Sequence, residues 1–446
     1  MTAVRRLAAL RPLRLALILF FAYVGGGCYD RIELNALAVA DMMAIDLTED
    51  GLLRVSLQFV VPAELASSVG IGTSGQRDPF YTIDAIGATL PEAFTRIQAK
   101  LPRRLFTSHV RTIVLGEEFA RSGITPVFDS LTRMRELRIT ADVVATRGEG
   151  RALLSAAPRL GRLPSAALAN LLYQLIVPPR NIRQVAIALA MEGIDPFVPL
   201  ITLTQRTETE LEPGTAAQEF EIEGIAVFRG DRLAGFVPLS EARGLAWLVN
   251  EVPFATATIQ WPPAGQEDDP PEHPSDLSPT ERRIQVDFPP APGPEHPGGG
   301  MREPGQISPL VIRGNTDLRA RVEGGEIRIE AQVRATDDIV TNQAGLDFTD
   351  PSVIPQLEQA LARDVEGRMR AILRLAQEVF QADIFGFGAL VRRSYPEVWR
   401  QVKENWHEIF SKLPVDIEVK PQVRRVGLTN SPAPFRDEQL RRAPSP

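Results

Sequence analysis

Residues Val110–Thr146 read VRTIVLGEEFARSGITPVFDSLTRMRELRITADVVAT, and they carry the clearest signal of fold class in the chain. Val110–Leu115 and Ile139–Thr146 are apolar runs of strand length. Between them, Glu117–Arg121 and Ile124–Leu137 have the apolar spacing of helices. A strand, two helices and a second strand in succession predict helices packed on a sheet. We therefore expect an α+β protein built from mixed α/β domains in series.

The sequence before this stretch continues the same pattern. Ala38–Ile45 and Leu53–Val61 predict two strands joined by a polar turn, and Leu90–Leu101 has one apolar helical face. Residues 62–79 are a predicted loop with a formal GxGxxG match at residues 70–75. A dinucleotide site requires a strand directly before that motif, but the nearest predicted strand ends about nine residues earlier. The glycines therefore indicate a flexible loop.

Two further units are predicted downstream. In the second unit, Phe220–Phe228 and Leu233–Val237 form a hairpin, and a helix follows over Ser240–Asn250. In the third unit, a hairpin precedes a long helix whose apolar face runs from Leu357 to Val379. A helix opening at 394–396 and an alternating strand over Val415–Val419 complete this unit.

A proline-rich stretch separates the second and third units. Residues 262–305 contain 12 prolines in 44 residues, and Ile284–Phe288 is the one strand-like run within them. Proline fixes φ and removes a hydrogen-bond donor, so we expect a disordered insertion. The predicted order is a signal peptide, an N-terminal α/β domain, a small β-rich domain, the insertion, a C-terminal α+β domain and a disordered tail. The corresponding ranges are 1–27, 28–205, 206–261, 262–305, 306–430 and 431–446.

The N-terminus has the features of a lipoprotein signal peptide. A basic start, an apolar run of about ten residues at Leu15–Val24 and three glycines precede Cys28, which is the single cysteine of the chain. A membrane-spanning helix needs ~20 apolar residues, so a cleaved signal fits better than an uncleaved anchor. We expect diacylglycerol and an N-acyl chain on Cys28, although Gly25 stands where a lipobox usually has Leu. An ordinary signal peptide with an unrelated cysteine is the alternative.

The charge and the residue inventory exclude several classes of function. The net charge is −7, and removing the four arginines of residues 1–27 leaves −11. An acidic chain is a poor partner for nucleic acid and for anionic lipid head groups, so lipid on Cys28 would have to hold it at a membrane. The four histidines form no zinc pattern, and neither a P-loop nor a GxSxG elbow occurs. We expect no enzyme activity, no metal and no small-molecule cofactor.

Several stretches together resemble the Ger(x)C family, the C subunits of nutrient germinant receptors in spore-forming bacteria. Residues 28–35, CYDRIELN, resemble its lipidated start, with Tyr29 in place of Trp. The family's central run resembles residues 106–109, 113–118 and 120–123 of this chain. Arg133 stands where the family has an arginine. Residues 224–228 with Gly235 resemble its second-domain hairpin, and 383–388, 399, 406–410 and 427 resemble its C-terminal signature.

This resemblance implies three α+β domains and a lipid tether to the outer face of the spore inner membrane. It also implies membrane-embedded A-type and B-type receptor subunits as partners, and it brings no catalytic residues. Residues in the matching motifs are candidates for the partner interface: Arg31, Glu33, Asn35, His109 and Arg133. For His109, a hydrogen-bonded structural role is the ordinary interpretation, and an interface role is the alternative. A solute-binding lipoprotein of a transporter and, more remotely, an envelope hydrolase are the competing functions.

Overall fold

The computed structural model describes residues 33–61, 79–156, 158, 163–206, 217–252, 258–261 and 305–426. The predicted signal peptide, Cys28, Arg31, the glycine-rich loop, Ile284–Phe288 and the predicted tail lie outside these described residues. So does the proline-rich insertion, apart from Gly305, which begins a strand. The prediction of an α+β fold is confirmed, because the described residues combine two sheets with helices.

The strands belong to two sheets. They are β1 (Leu37–Leu47), β2 (Leu53–Val60), β3 (Phe80–Gly87), β4 (Arg104–Phe106), β5 (Thr112–Leu115), β6 (Asp142–Ala145), β7 (Phe197–Arg206), β8 (Ala217–Arg229), β9 (Arg232–Pro238), β10 (Ile259–Trp261), β11 (Gly305–Glu323), β12 (Glu326–Asn342) and β13 (Val415–Arg425). The first sheet has the order β3-β2-β1-β5-β6-β7-β8-β9, with β4 beside the start of β1, and the second has the order β10-β11-β12-β13.

The helices connect and cover these strands. They are α1 (Leu90–Gln98), α2 (Glu117–Ser122), α3 (Thr125–Arg133), α4 (Arg151–Leu154), α5 (Pro164–Tyr173), α6 (Ile182–Ala190), α7 (Leu239–Leu248), α8 (Val353–Arg374), α9 (Phe387–Ser394), α10 (Pro396–Val402) and α11 (Trp406–Phe410). A π-helical turn over Leu375–Phe380 continues α8, and it ends at Gln381, whose φ of 49° is left-handed.

The first sheet is mixed, and its parallel part lies in the middle. Strands β1, β5, β6 and β7 run parallel, whereas β2 and β3 at one side and β8 and β9 at the other are antiparallel. Strands β5 and β6 are short and mostly apolar, because helices cover both faces of the sheet there. Helices α1, α2, α3 and α6 pack on one face, where they share a core with Met43, Ile113 and Val143.

The second sheet packs on the opposite face of the first. One continuous core joins Val114 and Ile225 of the first sheet to Trp247 of α7, Ile329 of β12 and Met369 of α8. Gly244 allows α7 to approach the α8 backbone closely, since a side chain there would meet the carbonyl of Arg368.

The predicted middle domain shares a sheet with the N-terminal domain. The expected boundary between residues 205 and 206 falls at the end of β7, and β8 pairs with β7 along ten residues. This difference has a physical cause. The edge of β7 would otherwise expose unpaired backbone groups, and the β8–β9 hairpin satisfies them. The hairpin predicted in the third unit consists of β11 and β12, which have 19 and 17 residues.

Candidate functional site

Four loops meet at one edge of the first sheet, which we call the amino edge. They are residues 33–36, 99–103, 107–111 and 134–141, which precede β1, β4, β5 and β6. These strands are parallel, so their starts lie on the same side of the sheet. Backbone hydrogen bonds join the loops, from Arg111 N to Asp41 O (2.9 Å) and from Asp142 N to Arg111 O (2.7 Å).

The amino edge brings together three of the candidate interface residues. Glu33 and Asn35 are exposed just before β1, and His109 is exposed in the loop before β5, where its ring centroid lies 5.8 Å from that of Phe106. Arg133 ends α3, and its exposed guanidinium pairs with Asp129 at 2.8 Å. This pair lowers the pKa of the Asp129 carboxyl through the hydrogen bonds that Arg133 donates. All four residues are accessible from solvent.

A second cluster, which we call the junction, lies where the segment before β7 meets the C-terminal part of the chain. Asp195 is 4% exposed, and its carboxylate accepts hydrogen bonds from Gly230 N (2.7 Å) and Asp383 N (2.7 Å). The Nε2 atom of His407 lies 3.1 Å from the same carboxylate. One acidic side chain therefore joins three segments that are far apart in sequence.

Asp383 organises the C-terminal side of the junction. Its fully buried carboxylate accepts hydrogen bonds from the backbone N–H groups of Gly386, Phe387 and Gly388 and from the indole Nε1 of Trp406. The distances lie between 2.7 and 3.1 Å. This network explains the sequence 383–388, DIFGFG, because the carboxylate satisfies the first N–H groups of α9.

Two glycines bring the two backbones into direct contact at the junction. A side chain on Gly388 would place its Cβ 2.6 Å from the Cα of Gly193, and Gly193 itself has a φ of +81°. Ala389 N donates to Gly193 O at 2.9 Å. Trp399 and Trp406 pack beside this crossing with ring centroids 5.2 Å apart, and both are buried.

Burial and hydrogen bonding change two pKa values at the junction. Burial raises the pKa of Asp383 to about 6, although the hydrogen bonds from Gly388, Phe387 and Trp406 oppose this shift. The hydrogen bond with Asp195 raises the pKa of His407, and partial burial of the imidazole opposes that shift. Protonation of His407 therefore strengthens its contact with Asp195.

A cavity of about 380 Å³ opens beside the junction. Its polar lining includes the side chains of Glu192, Asp195, Asp231, Lys403 and His407. Lys403 Nζ lies 3.3 Å from the Glu192 carboxylate, which also accepts a hydrogen bond from Trp399 Nε1 at 3.1 Å. Across the described ranges, no three His, Cys, Asp or Glu residues are grouped so as to hold a metal ion.

Two family domains match this chain in succession. The domain described as "Spore germination protein N-terminal domain" matches residues 30–203, and the one described as "Spore germination B3/GerAC like, C-terminal" matches residues 223–427. The chain belongs to the Ger(x)C family of spore germination proteins. The junction therefore joins the two family domains, since Gly193 and Asp195 lie in the first and Asp383, Gly388 and His407 lie in the second.

Curated relatives match over nearly the whole chain. Putative spore germination protein YfkR of Bacillus subtilis (strain 168) is 26% identical over 393 residues, which cover 88% of this chain and 90% of the relative. Spore germination protein KC of the same organism is 25% identical over 431 residues, covering 93% and 96%. Among solved structures, the crystal structure of the GerBC protein aligns with a TM-score of 0.49 and 16% identity, covering 88% of this chain and 99% of that one. These Ger(x)C relatives support a role in spore germination.

The sequence analysis did not identify Asp195 as a site residue. It is a single acidic residue before a proline, and nothing nearby in sequence indicates that its partners are Gly230, Asp383 and His407. Asp383 and His407 were noted only within the C-terminal family signature. A usable signal was the pair of glycines after Asp383, since an acidic residue before tightly packed glycines indicates a carboxylate bonded to backbone N–H groups.

Proposed function

We propose that this Ger(x)C protein is the lipid-anchored, non-catalytic subunit of a spore nutrient germinant receptor. Diacylglycerol and an N-acyl chain on Cys28 hold it on the outer face of the spore inner membrane. It acts there with the membrane-embedded A-type and B-type receptor subunits. No helix in the portion of the chain that the structure describes is long and apolar enough to cross a membrane.

The position of Cys28 carries this proposal. The single cysteine lies two residues before the start of the N-terminal family match, directly after an apolar run and three glycines. Lipid attached at that point would directly precede the two matched family domains. Two acyl chains give stable membrane binding where one chain is marginal, at ~0.8 kcal/mol per buried CH₂ group.

The amino edge supports the proposed partner interface. Glu33, Asn35, His109 and Arg133 are exposed on or next to the side of the sheet at which the chain leaves toward Cys28. If the lipid is on Cys28, side chains in this position face the membrane, in which the partner subunits are embedded. Asn35 makes no side-chain hydrogen bond to the residues that the structure describes, and exposed polar side chains of this kind can serve recognition.

The anchor is tested by replacing Cys28 with Ala in spores that carry the receptor genes. We expect the variant to leave the membrane fraction and the response to nutrient to be lost, whereas the neighbouring variant Tyr29→Ala keeps both. Mass spectrometry of the wild-type protein should find the lipid on the N-terminal cysteine. An unmodified thiol in a protein that stays on the membrane would refute the anchoring role.

The partner interface is tested with a photo-crosslinking residue placed at His109. We expect crosslinks to the A-type or B-type subunit in spore membranes, whereas the same residue at exposed Arg363 on α8 gives none. Equal crosslinking from both positions would contradict an interface at the amino edge.

The cavity beside the junction favours solute binding as the second candidate function. Its volume of about 380 Å³ lies within the usual range for small-molecule sites, and it lies between two family domains, where such sites often occur. Titration calorimetry of the isolated chain with amino acids, sugars and nucleosides separates the two candidates. Tight binding that is lost in Asp231→Asn would favour a solute-binding lipoprotein, and absence of heat would favour the receptor subunit.

A further inference from the structure

Two loops of the amino edge are basic, although the protein as a whole is acidic. Residues 99–111 contain Lys100, Arg103, Arg104 and Arg111 and no Asp or Glu, and all four basic side chains are exposed. The neighbouring loop 134–141 adds exposed arginines at 135 and 138 against one acid at 136. The net charge of −7 is therefore unevenly distributed: these loops carry a net positive charge, and the rest of the protein carries a net negative one.

Most of this charge is not neutralised by nearby carboxylates. Arg104 pairs with Glu136 at 3.3 Å, and Arg111 pairs with buried Asp41 at 3.3 Å. Within the residues that the structure covers, Arg103, Arg135 and Arg138 form no ion pair. The amino edge thus presents guanidinium groups whose hydrogen-bond donors are available to an anionic partner.

An exposed apolar side chain lies among these arginines. Ile139 follows Arg138 directly and is 45% exposed. Its position is fixed, because Arg183 N donates to the carbonyl of Ile139 at 3.0 Å. Basic residues beside an exposed large aliphatic residue are typical of surfaces that rest in the head-group region of a bilayer.

The length of the N-terminal segment limits how far this edge can be from the proposed anchor. Five peptide units join Cys28 to Glu33, where the described chain begins, and they span at most about 18 Å when fully extended. The chain then enters β1 at Leu37, directly beside Arg104 of β4. Lipid on Cys28 would therefore hold the amino edge, rather than any other face, against the membrane.

We propose that the amino edge docks on anionic phospholipid head groups, with Arg103, Arg135 and Arg138 bound to phosphates and Ile139 inserted between them. This inference rests on the proposed lipid anchor at Cys28. Basic residues near an anionic surface are attracted to it, so three arginines add an electrostatic attachment to that of the acyl chains. Docking fixes the orientation of the protein, because the acidic remainder is repelled by the same surface.

The experiment supplies the anchor chemically, so its result does not depend on lipidation in the cell. The chain from Cys28 onward is coupled through its only thiol to a maleimide lipid in vesicles of phosphatidylcholine, with or without phosphatidylglycerol. Amide hydrogen exchange is then measured in the loops 99–111 and 134–141. The test variant is Arg135→Glu with Arg138→Glu. Its matched control is Arg243→Glu with Arg363→Glu, which changes the charge equally at exposed sites on α7 and α8.

On vesicles that contain phosphatidylglycerol, we expect exchange in both loops to slow by about tenfold or more relative to pure phosphatidylcholine. The test variant should lose this protection, and the control should keep it. High salt should remove the protection from both the control and the wild type. Equal exchange on the two kinds of vesicle would overturn the docking proposal and would leave the basic edge to a protein partner. Equal loss in the test and control variants would also overturn it. If Cys28→Ala kept the protein on the membrane in spores, the lipid anchor would be refuted. The hydrogen-exchange results on vesicles would still stand, because there the anchor is supplied chemically.

Discussion

A single buried carboxylate stabilises the junction at the scale of residues. Asp383 accepts hydrogen bonds from three backbone N–H groups and from the Trp406 indole, and the bonds from Phe387, Gly388 and Trp406 are buried. Burial raises its pKa to about 6, whereas these hydrogen bonds favour the ionised form. The carboxylate is therefore still mainly ionised at neutral pH. The side chain is therefore important to stability because of what it accepts, despite the cost of burying its charge.

We predict that Asp383→Ala lowers the free energy of unfolding by about 3 kcal/mol or more, because several buried donors lose their only acceptor. Denaturant unfolding of the isolated chain provides the measurement. Asp416→Ala is the control, since Asp416 is exposed and pairs only with Arg328 at the surface. A loss in Asp383→Ala no larger than that in the control would contradict this role.

The contact between His407 and Asp195 predicts a pH dependence of stability. The folded state holds the His407 pKa above its ordinary value of about 6.5, so the imidazolium is favoured by folding. The resulting stabilisation is fully present below the unfolded pKa, and it is lost as pH rises through the raised, folded pKa. His407→Gln should therefore be less stable than the wild type at pH 5.5, with the difference shrinking toward pH 8.5. A difference that grows with pH would contradict the assignment.

Polar residues such as Asp195, whose partners are distant in sequence, are difficult to identify from the sequence. The pattern of apolar residues predicts where helices and strands occur, and here it predicted the strands flanking the hairpin at residues 229–232 and the helix α7. It carries no information on which distant polar groups become partners. Asp383 is 188 residues from Asp195, and their pairing follows only from the packing of the second sheet on the first.

At the scale of elements, two glycines have opposite roles in adjoining helices. Gly388 lies at the start of α9, where a Cβ would come within 2.6 Å of both Gly193 Cα and Trp406 Nε1. Gly367 lies inside α8 with open space around it, so only its effect on backbone entropy matters. The apolar spacing predicted the buried face of α8 correctly from Leu357 to Ile372, but Val379, the predicted end of that face, is 61% exposed in the π-helical turn. The same spacing does not distinguish these two glycines.

We predict that Gly388→Ala destabilises the protein by about 3 kcal/mol through overpacking at the junction. Gly367→Ala, by contrast, should stabilise it by about 0.5–1 kcal/mol, because alanine favours a helix interior. Both values follow from unfolding curves of the two variants under the same conditions. A Gly388→Ala variant as stable as the wild type would refute the close backbone contact at the junction, and a destabilised Gly367→Ala variant would contradict the open space around Gly367.

The sheet connections were less predictable than the elements. Periodicity indicated β1, β2, β5 and β6, but it gave neither their parallel order nor the place of β7 beside β6. The helix α6 and strands β3 and β7 were not predicted, since each is short or mixes apolar with polar residues. Pairing depends on contacts across the whole sheet, which a local pattern does not contain.

At the scale of the whole molecule, the shared core predicts cooperative unfolding. One buried cluster includes Val114 and Ile225 of the first sheet together with Ile329 and Trp406 of the C-terminal part. We expect tryptophan fluorescence and far-ultraviolet circular dichroism to report one transition with the same midpoint, because this cluster is built from residues of both parts. Two separated transitions would indicate that the two family domains are stable independently.

The bonds made by Asp195 have a consequence for biosynthesis. The chain is made from its N-terminus, so the carboxylate of Asp195 exists long before Asp383 and His407 have been added, 188 and 212 residues later. Until then the ribosome-bound intermediate carries an acidic side chain, and a glycine at 193, that lack their C-terminal partners. The last sixth or so of the polypeptide thus completes the junction. A nascent chain that terminates early lacks these contacts, and we expect quality-control proteases to degrade it.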